Sequence, residues 1–156
     1  MTAQTSDRGS PPLAVLATAA REPDAQADGF AHAREARSRE LAEDYVELIA
    51  GLIRDRGEAR TVDIAARLGV KLPTVSKSLD RLAREGLVTR AKYRSVFLTD
   101  RGRALAAECR RRHEIVVQFL IRLGLDAETA ERDAEGIEHH VSDRTLALFR
   151  DFAQGG

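Results

Sequence analysis

Between Thr61 and Gly86 three residues are spaced as two closely crossing helices require. Ala65 is small enough to let helix backbones approach, Gly69 four residues later eases a sharp turn, and Val75 six residues further packs the second helix on the first. The predicted first helix covers Val62–Leu68, with the Thr61 hydroxyl as its N-cap. The predicted second helix covers Pro73–Arg84, with proline suited to its first turn and Gly86 as its stop. Its start, Lys71-Leu72-Pro73, offers no capping side chain and forgoes ~1 kcal/mol.

The second helix has two chemically distinct sides. Val75, Leu79 and Leu82 face the core, while Thr74, Ser76, Lys77 and Arg81 face outward. Two short strands are expected around Leu87–Val88 and Val96–Leu98, joined by a basic turn containing Arg90, Lys92, Tyr93, Arg94 and Ser95. A helix-turn-helix followed by a basic hairpin is a winged helix-turn-helix, a reader of double-stranded DNA. Short side chains at the start of the second helix reach base edges, and cations there and on the wing take phosphates. The candidate DNA contacts are Lys71, Pro73, Thr74, Ser76, Lys77, Arg81, Lys92, Tyr93 and Arg94. Taken singly, Arg81 or Arg84 fits a solvated helix face better than a DNA contact. The conjunction of these cations with the turn spacing and the hairpin carries the expectation.

The net charge of zero conceals an asymmetry. Residues 60–103 hold 11 Lys/Arg against 4 Asp/Glu, leaving 14 basic and 21 acidic residues elsewhere. A basic module beside an acidic remainder suits a DNA reader joined to something else. The single cysteine, Cys109, excludes an intrachain disulfide, fits a reducing cytoplasm, and reads best as a buried inert thiol. No segment has the length and apolarity to cross a membrane. Pro11–Ala20 is too short, and lacks the basic flank, to be a secretory signal.

The rest of the chain is helical in pattern, so the expected class is mostly α: a winged helix-turn-helix domain plus a helical domain. Residues 1–34 read as a disordered tail, 35–99 as the DNA-binding domain, and 100–156 as the helical domain. An apolar stripe of Leu41, Tyr45, Leu48, Ile49 and Leu52 predicts a helix from about Ala33 to Arg56. Three more helices are expected: from Thr99 or Asp100 to about Leu123, from Asp126 to about His140, and from Ser142 to about Phe152.

The helical part carries a second constellation. Glu135, Glu138 and His139 stand at i, i+3 and i+4, on one helix face; Asp44 and Glu47 stand at i, i+3 on the first helix; His113 lies in the long middle helix. Four carboxylates drawn together repel, and divalent cations reverse that. Their charge balances two M2+ ions, with His113 and His139 as neutral nitrogen donors. An oxygen-rich set with some imidazole suits Mn2+ or Fe2+ better than zinc. Periodicity alone leaves a second reading open, in which these are ordinary exposed acids and structural histidines.

Several of these runs occur together in a known family. Asp44-Tyr45-Val46-Glu47, the helix-turn-helix, Tyr93–Thr99, Arg112-His113-Glu114 and Glu135–His140 resemble the diphtheria-toxin-repressor family of metal-dependent repressors, over about residues 35–152. The resemblance implies a homodimer with a winged helix at each outer end and a helical dimerisation region. It also implies a binuclear metal site in each subunit, with Asp44, Glu47, His113, Glu135, Glu138 and His139 as ligands. The family's iron-responsive branch has methionine in place of Asp44 and cysteine in place of Glu135. Carboxylates at both positions favour the manganese-responsive branch, with two Mn2+ per subunit and control of manganese-uptake genes. The chain ends soon after the dimerisation helices, so the further C-terminal barrel of the iron branch is expected to be absent. Ser95, where the family's wing usually has glycine, is a departure expected to stiffen or shift the wing tip.

Three alternatives accompany this expectation. An Fe2+-responsive repressor of the same family would use the same donors. A winged-helix regulator sensing an organic ligand would need an apolar cleft, for which 4% aromatic residues supply little. A dimetal hydrolase would use metal-activated water, but no substrate-binding constellation accompanies the donors. The chain is expected not to be an enzyme.

Overall fold

A computed structural model of the chain describes residues 23–91 and 95–155. The order is α1 (Pro23–Arg56), β1 (Ala59–Arg60), α2 (Thr61–Leu68), α3 (Leu72–Arg84), β2 (Val88–Arg90), β3 (Ser95–Leu98), α4 (Asp100–Arg122), α5 (Ala127–Ile137) and α6 (Asp143–Gln154). Residues 23–34 fall in one unit and those from Glu35 onward in a second; both cores and the candidate site lie within the second.

α1 begins at Pro23, well before the expected start near Ala33. Residues 23–34 lack an apolar stripe, so periodicity missed them. Helix forms there on propensity: a leading proline, Asp24 in the first turn, and an Ala-rich run. Residues 1–22 of the expected tail lie outside the described residues.

The helix-turn-helix forms as α2 and α3. Gly69 adopts φ 65°, and its N–H and that of Val70 both reach the Ala65 carbonyl, closing α2. Thr61 is not the N-cap. Arg60 holds that position without a side-chain cap, and Thr61 is a buried residue of the first turn. The reason is β1, which the sequence reading did not find. Ala59 pairs with Val96 and Arg60 with Ser95, drawing extended backbone up to the start of α2. The sheet order is β1-β3-β2, with Val88 opposite Leu98 and Arg90 opposite Val96. Ser95 is a strand residue whose hydroxyl donates to Glu58 (3.3 Å).

Two hydrophobic cores result. The first gathers Tyr45, Ile49, Ile64, Val75, Leu79 and Val96 among others, and ends on α4 at Ala106. The second gathers Ile115, Val116 and Leu120 of α4 with Ala130, Ala134 and Leu146. Phe119 stacks on Phe149 of α6, ring centroids 3.9 Å apart. α4 therefore runs from one core into the other, and His113 lies on the stretch between them.

The entry of α4 is held tightly. Thr99 is its N-cap, accepting from the Gly102 N–H, while the Thr99 hydroxyl donates to the Gly86 carbonyl (2.7 Å). Gly102 is required there, since a Cβ would lie 2.0 Å from the Leu87 carbonyl oxygen. Asp126 and Ser142 cap α5 and α6 as the sequence suggests. α5 ends at Ile137 rather than near His140, so Glu138 and His139 occupy the turn that follows it.

Candidate metal centre

Three elements bring the acidic and histidine residues together. On α1 the core face is Ala42, Tyr45, Val46 and Ile49, which leaves Glu43, Asp44 and Glu47 on the neighbouring face. On α4, Cys109, Arg112 and His113 share a face at i, i+3 and i+4. α5 supplies Glu131 and Glu135, and the following turn Glu138 and His139.

Glu138 is the centre of the cluster. Its residue is 1% exposed, and its Oε2 lies 2.6 Å from His113 Nδ1. Its Oε1 lies 3.6 Å from His139 Nε2 and accepts no hydrogen bond, although buried. His139 Nε2 also lies 3.3 Å from Asp44 Oδ1, and Glu135 Oε1 stands 4.0 Å from His113 Nδ1. Donor atoms of His113, Glu135 and Glu138 all fall within 4.8 Å of one another. Glu47 lines the same cleft as Asp44 and Glu135, a space of about 640 Å3.

The electrostatics match that crowding. Burial, and then the charges of Glu138 and Glu135, push the Glu47 carboxyl up from 4.5 to about 7. Burial likewise raises Glu138 above the usual carboxylate range, against the pull of His113. His139 is pushed up to about 10 by hydrogen bonds to Asp44 and Glu43, so it carries a proton at neutral pH. For His113, burial acts downward, but Glu131 and Glu138 outweigh it and raise the ring. A buried carboxylate oxygen without a donor, among neighbours that resist ionisation, is a seat for a cation. Oxygen donors with two imidazoles fit a divalent metal ion of the manganese or iron type.

Five of the six expected ligands lie within 4.0 Å of another member of the cluster, and Glu47 joins them through shared charge and a shared cleft. Two carboxylates were missed. Glu43 Oε2 lies 2.6 Å from His139 Nδ1, and Glu131 Oε2 lies 2.7 Å from His113 Nε2. Each histidine therefore turns one nitrogen to the cluster and the other to an outer acid, the arrangement that fixes a metal-binding imidazole. Glu131 stands four residues before Glu135 and Glu43 four before Glu47, so helical spacing could have found both. Cys109 is buried, and its thiol is pushed up to about 12 chiefly by burial, which keeps it inert.

On the DNA-reading side, Lys71, Pro73, Thr74 and Lys77 are exposed at the start of α3, and Ser76 is half-buried. Arg81 turns back to α1, donating to the Ser38 hydroxyl (3.0 Å) and pairing with Glu85 (3.5 Å). Arg90 pairs with Asp80 at 2.5 Å, tying the hairpin to α3. Lys92, Tyr93 and Arg94 lie outside the described residues. Among the described residues no helix is long and apolar enough to cross a membrane.

A winged helix-turn-helix joined to a helical half, with a carboxylate–imidazole cluster on the connecting elements, defines a metal-dependent DNA-binding regulator. Residues 39–96 match the N-terminal DNA-binding domain of the iron-dependent repressors, and residues 99–154 match their metal-binding and dimerisation domain. The chain belongs to this family, that of the diphtheria toxin repressor. It is 54% identical over 149 residues to the transcriptional regulator MntR of Escherichia coli O157:H7, covering 96% of each chain. It is 57% identical over 127 residues to MntR of Salmonella typhimurium, covering 81% of each. A manganese-dependent transcriptional repressor solved in complex with manganese superposes with a TM-score of 0.63 at 35% identity. That match covers 72% of this chain and 52% of the other, so the chain spans about half the length of that solved structure.

Proposed function

We propose that this protein is a manganese-responsive transcriptional repressor whose affinity for its operator rises when metal binds between its DNA-reading and dimerisation halves. The observation that carries the reading is the unpartnered, buried Glu138 Oε1, flanked by His139 and Asp44 on one side and joined through its own carboxylate to His113. Asp44, Glu47, His113, Glu135, Glu138 and His139 would hold the ions, two Mn2+ per subunit. A bound pair supplies positive charge that lets all four carboxylates ionise together. Carboxylates at 44 and 135, with no thioether or thiolate donor, favour Mn2+; Fe2+ is the alternative ion for the same donors. Relatives named for manganese regulation support the same choice.

The geometry suggests how the signal travels. Asp44 and Glu47 sit on α1, the helix to which Arg81 of the recognition helix is bonded through Ser38. His113, Glu135, Glu138 and His139 sit on α4 and α5 and the turn beyond. Ligands from both sets on one site restrict movement between α1 and α4. In a homodimer this fixes the separation of the two recognition helices, which must match half-sites about 34–36 Å apart. Ile121, Leu123, Leu148 and Phe152 are exposed on α4, the segment after it and α6, and supply apolar surface for the dimer contact. The partners are thus double-stranded operator DNA and a second copy, and the working compartment is the cytoplasm, where the operators are manganese-uptake genes. The fold and its relatives make it a regulator and not an enzyme.

The test is an operator mobility-shift titration in chelator and in Mn2+, Fe2+ and Zn2+. Affinity is expected to rise with Mn2+ and fall in chelator. Equal affinity in all conditions would refute metal control, and a response to Fe2+ alone would replace manganese with iron.

A further inference from the structure

α5, which carries the cluster, ends differently from the other early helices. α1, α2, α3 and α4 are each followed closely by a glycine at positive φ: Gly57, Gly69, Gly86 and Gly124. Such glycines close a helix by turning its terminal carbonyls onto backbone N–H groups. The turn after α5, Glu138-His139-His140-Val141, has no glycine. Its internal bonds are Glu138 N–H to the Ala134 carbonyl and His140 N–H to the Ile137 carbonyl. The carbonyls of Glu138 and Val141 need donors from elsewhere.

Arg112 of α4 supplies them. Its Nε (3.1 Å) and Nη2 (2.8 Å) donate to the Glu138 carbonyl, and Nη2 also donates to the Val141 carbonyl (2.6 Å). Its Nη1 donates to Asp143 Oδ1 at 3.0 Å, at the start of α6. The Arg112 side chain is 16% exposed, whereas that of Asp143 is 92% exposed. The carbonyl bonds are therefore the sheltered part of the arrangement and the ion pair the solvated part, which contributes little. A planar guanidinium with five donors can serve three oxygens on three residues at once; a lysine ammonium has no such fork.

We propose that Arg112 is a positioning residue for the metal centre: it clasps the Glu138–Val141 turn and so aims the Glu138 carboxylate and the His139 imidazole before metal arrives. Its neighbour His113 is itself a member of the cluster, so one turn of α4 both carries one cluster residue and clasps the turn that carries two others, through the carbonyls of Glu138 and Val141. The inference rests on the metal reading for its consequence, but the clasp itself exists without metal.

The test compares the parent with Arg112→Lys, Arg112→Met and Asp143→Asn. Hydrogen exchange in chelator reads the turn directly. The Glu138 and His140 amides are expected to exchange at least about tenfold faster in both Arg112 variants, with core amides of α1 and α3 unchanged. Mn2+ titration is expected to show affinity weakened about 10–100-fold in the same variants, with thermal unfolding in chelator close to the parent's. Asp143→Asn should leave both readings at the parent's values. Parent-like exchange of the turn in Arg112→Lys overturns the clasp, as does a loosened turn with unchanged Mn2+ affinity. An Asp143→Asn variant as impaired as Arg112→Lys also overturns it, by assigning the effect to the ion pair. If Arg112→Met does not fold, Arg112→Lys decides. If the parent takes up no Mn2+, the metal reading fails and the exchange measurement in chelator still decides the clasp.

Discussion

Glu47 sits half-buried on α1, facing the charges of Glu135 and Glu138, and Glu47→Gln removes its charge while keeping its shape. Its folded-state value, about 7, stands above the ordinary glutamate value of 4.5. The sign follows from linkage: a carboxyl raised on folding costs nothing below pH 4.5, costs progressively more as pH rises to about 7, and its full penalty above that. Moving it from 4.5 to about 7 corresponds to about 3 kcal/mol at roughly 1.4 kcal/mol per pH unit. Because the side chain is partly in solvent, screening reduces this to ~1–2 kcal/mol. Metal-free Glu47→Gln should therefore be more stable than the parent by ~1–2 kcal/mol at pH 8, and nearly equal to it at pH 4.5. Saturating Mn2+ should reverse the order. The parent gains about 2.7 kcal/mol at a hundredfold excess over Kd, and the variant, short of a ligand, gains less. Urea unfolding at fixed protein concentration, in chelator and in Mn2+, at both pH values, measures all four quantities. A variant less stable than the parent in chelator at pH 8, or equally favoured at both pH values, would refute the electrostatic argument.

Four further outcomes are expected. Gly102→Ala forces a methyl against the Leu87 carbonyl and should cost ~1–3 kcal/mol by denaturant unfolding; no loss would contradict the close approach. Lys77→Ala should weaken DNA binding across sequences and lower the salt slope by about 1, whereas Arg81→Ala, whose guanidinium is spent on Ser38 and Glu85, should leave the slope unchanged. Glu43→Gln loosens the Nδ1 side of His139 and should lower Mn2+ affinity about 10–100-fold, measured by titration calorimetry. Because His139 is protonated up to about pH 10 in the metal-free protein, Mn2+ uptake at pH 7 should release protons and strengthen as pH rises, as weakly buffered titration with an indicator would show.

The DNA-reading half was legible because its signals are local. Ala65, Gly69 and Val75 act over single turns of helix, and the apolar positions 75, 79 and 82 are all fully buried, as their period implies. The caps at Thr99, Asp126 and Ser142 are likewise local chemistry, an oxygen placed three residues before an N–H. β1 was not legible, because two residues form a strand only when β3 is beside them. Nor was the inward turn of Arg81, whose partner Ser38 is 43 residues away.

The metal centre divides the same way. Donor types and their i, i+3 spacing were fixed by the chain itself, and so was the preference for oxygen over sulfur. Convergence was not, since α1, α4 and α5 meet only through two separate cores joined along α4. Long-range packing alone set Glu43 against His139, raised Glu47 by burial and then by the charges of Glu138 and Glu135, and left Glu138 Oε1 without a donor. It also placed Arg112 under the turn that carries Glu138 and His139. Local sequence specifies which groups can bind a cation, because chemistry belongs to the residue. Tertiary structure decides whether they do, because desolvation and charge repulsion exist only once the helices are packed.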